Sequence, residues 1–158
     1  MRPSQKQRPV RFSKSVLADL ILPEDANPRG SAFGGSILKL IDKAAFVCAC
    51  RHAGTADCVT VSMDKIDFKV PVGVGELVTL EAQVNHAGHT SMEVGVEVYS
   101  EDLNTGERRH ANSCLVNFVA LDKKGRPMPV PTLVTETPQE KERFAQARER
   151  RKQRLGHD

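Results

Sequence analysis

The four cysteines, Cys48, Cys50, Cys58 and Cys114, form no C-x-x-C pair, and no histidine stands at zinc-ligand spacing to them. No metal is therefore expected, and the cysteines read as reduced, buried residues acting as small hydrophobes. Long apolar runs are also lacking. The most apolar stretch, Ile37 to Cys50, is interrupted by Lys39, Asp42 and Lys43 and is too short to span a bilayer. The basic N-terminus leads into no apolar signal core, so no secretion signal is read. A cytoplasmic location without a membrane partner is expected. Internal repeats and low-complexity linkers are absent too, and residues 15–137 read as one folded unit.

The positive excess lies at the ends. Residues 1–14 carry Arg2, Lys6, Arg8, Arg11 and Lys14 with no acid, giving +5. Residues 138–158 carry seven Lys or Arg against four Asp or Glu, giving +3. The chain as a whole is +3, which leaves −5 for the stretch between. Basic ends on an acidic middle do not make a nucleic-acid surface, and no nucleic-acid partner is expected. Residues 1–14 are expected to be a flexible basic segment. Residues 138–158 are helix-forming but highly charged, with an apolar stripe too thin to pack firmly. A loose helix or disorder is expected there.

Between the ends, hydrophobic periodicity gives the elements. Val16 to Leu22 suits a short strand, and Pro23 to Gly35 reads as a loop. A helix is predicted from Ser36 to His52, ended by Gly54. Val78, Leu80, Ala82 and Val84 alternate with Thr79, Glu81 and Gln83, and Met92, Val94, Val96 and Val98 repeat the pattern. Both segments predict strands with one buried face. A further strand is expected from Ala111 to Leu121. In Cys58 to Val70, Val59, Val61 and Met63 share one parity while Ile66 and Phe68 take the other. That phase change predicts a bulge near Asp64–Lys65. One helix across a curved antiparallel sheet is an α+β layered fold.

On the predicted helix, Ile37, Leu40, Ile41, Ala44, Ala45 and Cys48 form a broad apolar arc, and Asp42 sits at its edge. Two readings of Asp42 are open. It can be a boundary carboxylate paired with Lys39, or a carboxylate in a half-apolar cleft able to act as base or nucleophile. Gly34-Gly35 directly upstream leave backbone N–H groups at the positive end of the helix, where a developing oxyanion can be stabilised. A plain turn explains the glycine pair as well. Asn27, before Pro28, can be a turn residue or can orient a water or a carbonyl.

The run from Pro23 to Asp42, with Asn27-Pro28 in the loop and Phe33-Gly34-Gly35 at the helix start, resembles the broad-specificity acyl-CoA thioester hydrolases. These include small bacterial YciA-type enzymes and tandem-domain cytosolic hydrolases of animals. Ala44-Ala45, Arg51-His52, Phe68, Pro71, Gly75-Glu76, Gly88-His89-Thr90-Ser91, Phe118 to Asp122 and Pro129-Val130-Pro131 extend the resemblance over most of residues 16–133. It implies a hotdog fold, a curved antiparallel sheet wrapped around one long central helix. It also implies dimers joined sheet edge to sheet edge, often as trimers of dimers. Asp42 would be base or nucleophile, and Asn27 would come from the facing subunit. Gly35 would offer its N–H to the thioester oxygen, and Phe33 replaces the His of some relatives. Pantetheine would lie along Val61, Ser62 and Met63, with the nucleotide near Gly88, His89, Thr90 and Ser91. A strand start after a turn accounts for Thr90-Ser91 equally well. Lys123, Lys124 and Arg126 are further phosphate contacts to consider, or simply a solvated turn.

The expected activity is hydrolysis of an acyl-CoA thioester to free acid and CoA, with no cofactor beyond the CoA of the substrate. The rival is a non-catalytic acyl-CoA-binding sensor or regulatory module on the same fold.

Overall fold

The computed structural model describes residues 6–156. Its centre is a five-stranded antiparallel sheet. The strands are β2 (Ser15–Leu20), β3 (Cys58–Phe68), β4 (Leu77–Ala87), β5 (Ser91–Glu101) and β6 (Arg108–Ala120), in the spatial order β2-β4-β5-β6-β3. A 20-residue helix, α2 (Gly34–Ala53), packs across its inner face. This is the α+β hotdog arrangement.

The inner face is built by the expected alternation. Val78, Leu80 and Val84 on β4, and Val94 and Val98 on β5, are fully buried. They meet Ile41, Ala45, Cys48 and Ala49 of α2, also fully buried. Alanines on the helix let it lie close to the sheet, and burial of branched residues opposite supplies the driving force. The helix ends at Gly54 in a left-handed conformation (φ 79°), its N–H donated to the Cys50 carbonyl. No Cβ penalty arises at that position with glycine.

β3 is an edge strand and departs from the sequence reading in one respect. The bulge at Asp64–Lys65 is present: the register slips between Asp64 and Asp67, and Lys65 has φ 51°. A second slip lies between Thr60 and Ser62. Thr60 pairs with the fully buried Phe118 and Met63 with the fully buried Val116, while Ser62 pairs with Asn117. Val59, Val61 and Met63 therefore do not share a face. An edge strand has one free side, and the extra residue is accommodated there without breaking a second ladder.

Both ends of the chain are more ordered than their charge suggests. Residues 1–5 and 157–158 of the two charged segments lie outside the described residues. Of the rest, β1 (Gln7–Pro9) pairs in parallel with β7 (Thr132–Val134), and a short helix, α1 (Val10–Ser13), buries Val10. Arg8 donates to the carbonyls of Arg51 (2.7 Å) and His52 (2.9 Å). These are last-turn carbonyls of α2 with no partner further along the helix, so a cation is favoured there. The flexible basic segment expected for residues 1–14 is thus corrected over residues 7–13.

The C-terminal segment is a firm helix, α3 (Pro138–Leu155), rather than a loose or disordered one. Thr137 caps it in a capping box with Glu140. Ala147 is buried, Phe144 stacks on His86 at 4.7 Å, and Arg150 donates to both oxygens of Glu93, at 2.6 and 3.1 Å. The outer face of the sheet supplies polar partners that the helix sequence alone does not reveal. Among the described residues, no helix is long and apolar enough to cross a membrane.

Candidate active site

The loop after β2 is tied to the start of α2. The Phe33 N–H donates to the Asp25 carbonyl at 2.9 Å, and the Ser36 hydroxyl donates to the same carbonyl at 3.2 Å. Phe33 caps the helix through its carbonyl, which accepts from Ser36 and Ile37. Among the described residues, the N–H groups of Gly34 and Gly35 have no acceptor. A Cβ placed on Gly35 would meet nothing within 4 Å. An open, unpaired N–H pair at a helix N-terminus suits an anion or a polarised carbonyl oxygen.

Two turns further along α2, Asp42 is half-buried and its Oδ1 accepts from the Thr60 hydroxyl at 2.7 Å. The partner expected for a plain boundary carboxylate, Lys39, forms no ion pair with it. Thr60 lies on the edge strand, so the carboxylate is held toward the open side of the sheet. Sequence reading missed Thr60 because its inward direction depends on the slip after it.

Asn27 is half-buried in the loop. Its Oδ1 accepts from the N–H of Arg29 at 2.9 Å and of Ser31 at 3.3 Å, and its Nδ2 donates to Ser31 Oγ at 3.1 Å. The turn role is real. Asn27 and Asp42 share no hydrogen bond within the chain.

The coenzyme candidates fall at one end of the sheet. Gly88 to Ser91 is the turn from β4 to β5, closed by a Gly88 N–H bond to the Ser91 carbonyl at 2.8 Å. Ser91 pairs with Val119 of β6, which pairs with Val59 of β3. Val61, Ser62 and Met63 begin two residues further along β3. The stretches are thus separated by one strand. Arg151 of α3 lies over Gly88, 3.3 Å from where its Cβ would be. Ser62 accepts from Asn117 Nδ2 at 2.9 Å, Val61 is 59% exposed, and His89 is exposed.

The cysteines are poor nucleophiles here. Burial pushes the Cys48 and Cys58 thiols up to about 12 and Cys114 up to about 11, and raises Cys50 as well. A thiol needs its thiolate to attack, so at neutral pH none of them supplies the chemistry. A carboxylate, a hydroxyl and a helix-end N–H pair remain.

A cavity of about 280 Å³ opens beneath the start of α2, lined by Gly34, Ile37, Phe68, Val72, Val98 and Asn112 among others.

Comparison with known proteins places the chain in a family. The Thioesterase superfamily model matches residues 29–107. A Bacillus subtilis protein named as an uncharacterized acyl-CoA thioester hydrolase, YkhA, is 44% identical over 128 residues, covering 81% of this chain and 74% of that one. An apo-hexameric acyl-CoA thioesterase superposes with a TM-score of 0.91 at 40% identity, over 96% of this chain and 97% of that one. An acyl-CoA hydrolase from Staphylococcus aureus, solved with butyryl coenzyme A, coenzyme A and coenzyme A disulfide, superposes with a TM-score of 0.87 at 32% identity, over 96% and 92% of the two chains. The chain belongs to the thioesterase superfamily.

Proposed function

We infer that this chain hydrolyses acyl-CoA thioesters, releasing a carboxylic acid and CoA, with Asp42 as base or nucleophile. The observation that carries the reading is the Asp42 carboxylate, held by Thr60 at 2.7 Å on a central helix whose first N–H groups are unpaired. Gly35 donates its N–H to the thioester oxygen as charge develops there. Asp42 removes a proton from water as its oxygen adds to the carbonyl, or adds directly to give a mixed anhydride that water then opens. In either route the C–S bond breaks and the CoA thiolate takes up a proton. No cofactor enters beyond the CoA of the substrate, and no metal is called for.

The site is completed by a second copy. Thr60 places Asp42 against the edge strand, and that edge carries Val59 and Val61, 43% and 59% exposed, beside exposed Phe46 and Val47 of α2. A partner joined across this edge covers them and brings its own Asn27 toward Asp42, in a dimer that assembles further into a trimer of dimers. Pantetheine then runs along Val61, Ser62 and Met63, with the nucleotide toward Gly88, His89, Thr90 and Ser91. The reading keeps the expected cytoplasmic location.

A thiol-release assay with acyl-CoAs of several lengths tests the reading, using Asp42→Ala and Asn27→Ala chains refolded alone and as an equal mixture. Each variant alone should be nearly inactive. The mixture should recover roughly a quarter of wild-type turnover, since half the dimers are mixed and each holds one intact site of two. Absence of turnover in the wild type would favour the non-catalytic acyl-CoA-binding module. No recovery in the mixture would place both residues in one chain.

A further inference from the structure

The cavity under the start of α2 has one wall that thioester cleavage does not require. Ile37, Val72 and Val98, all buried, and Phe68 make its surface hydrocarbon. Beside Lys69, which is exposed, Asn112 is the polar exception. It is 1% exposed, and neither its side-chain oxygen nor its nitrogen has a hydrogen-bond partner among the described residues. The sheet register explains its direction. Asn112 pairs with Val98 on one side and with Phe68 on the other, so all three belong to one cross-strand row on the face beneath α2.

A buried amide with nothing to bond is costly, and leucine or valine at this position would pack against the same neighbours without that cost. An amide in this condition is complementary to a ligand that brings the missing oxygen.

We propose that Asn112 recognises a hydroxyl group on the acyl chain, so that short hydroxyacyl thioesters are preferred over plain alkyl ones. This rests on the thioesterase reading of Gly35 and Asp42. A chain whose thioester oxygen meets the Gly35 N–H passes beside Gly34, and Gly34 lines the cavity. A hydroxyl can accept from Asn112 Nδ2 and can donate to Oδ1. An oxo group only accepts, and a methylene does neither and leaves the amide unpaired. Sites that bond a substrate hydroxyl reject the analogue lacking it for that reason. The cavity, at about 280 Å³, falls just below the ~300–1,000 Å³ usual for ligand pockets, which favours short chains.

The test compares 3-hydroxybutyryl-CoA and 4-hydroxybutyryl-CoA with butyryl-CoA on the wild type, Asn112→Leu and Asn112→Ser. Both kcat/KM and Kd by calorimetry are read. The wild type should favour at least one hydroxyacyl substrate by roughly tenfold or more. In Asn112→Leu the ratio should fall below one, and Asn112→Ser should lie between. Thermal unfolding of Asn112→Leu at or above the wild-type temperature shows that the fold is kept; should it not fold, Asn112→Ser carries the comparison. Equal treatment of all three substrates by the wild type, as from a cavity that holds only water, overturns the proposal. So does a preference unchanged by substitution. A preference seen in Kd without any turnover supports the role of Asn112 and sinks the hydrolase reading alone.

Discussion

α2 and α3 lie on opposite faces of one sheet and are held there by different physics. α2 buries a continuous arc against the strands: Ile41, Ala45, Cys48 and Ala49 are inaccessible to solvent, and a single left-handed glycine stops the helix. α3 is overwhelmingly polar and buries little more than Ala147, with Glu140 and Phe144 at its margin. It is fastened at points, by Phe144 on His86 and by the Arg150 fork on Glu93. The contrast is instructive about function. The helix that carries Gly35 and Asp42 is fixed along its buried arc, which suits the proposed site, whereas α3 is held at separate points.

That contrast makes graded predictions, measured by urea unfolding. Ile41→Ala should cost the most, about 4 kcal/mol, because a fully buried branched side chain leaves a cavity between α2 and the sheet. Removing residues 138–158 should cost about 3 kcal/mol, from the lost cover of Phe144 and Ala147 and from a Glu93 carboxylate left without its arginine. A deletion with no effect would return α3 to the loosely attached tail that its charge suggests. Arg150→Leu alone should cost roughly 2 kcal/mol, since the Glu93 side chain is only 3% exposed and the arginine 20%. Adding Glu93→Leu should recover most of that loss, because a buried ion pair is worth little against apolar residues of similar size. Additive losses in the double variant would show that the pair is not coupled.

The same contrast explains what could be read from the sequence. The β4 and β5 alternation and the α2 arc were legible because each periodic face is buried by one large partner. Gly34-Gly35, Asp42 and Asn27 could be singled out as a local pattern, although Asn27 also serves its turn through Ser31. Thr60 could not, because its direction depends on a register slip that no periodicity reports. Asn112 sits in a strand at an ordinary inward position, and its isolation appears only once Phe68 and Val98 stand beside it. β1, β7 and α1 are three or four residues long and exist through each other and through Arg8 on the end of α2. The order of α3 depends on polar residues of the outer sheet face, far away in sequence.

The smallest expected effect concerns pH and the point where α3 grips the sheet. Burial under Phe144 holds the His86 imidazole below its ordinary value of 6.5, and Arg151 of α3 pushes the same way. Arg148 and Arg154, also of α3, add to this, while Glu93 on β5 opposes it. The folded chain therefore resists a proton that the unfolded chain accepts. By linkage, stability is full above pH 6.5 and declines as the pH falls below it, with a limiting slope of about 1.4 kcal/mol per pH unit for each such histidine. Buried His52, whose Nε2 meets the Pro131 carbonyl at 2.8 Å, is lowered by burial too and adds a slope of the same sign from the α2 side. The two shares can be separated. His86→Gln should flatten part of the loss between about pH 7.5 and 5.5, and so should deletion of α3, which uncovers His86 and removes Arg151. Combining the two changes should flatten it no further, leaving the His52 share intact. A pH dependence identical in all four chains would mean that His86 is solvated in solution and that α3 does not press on it.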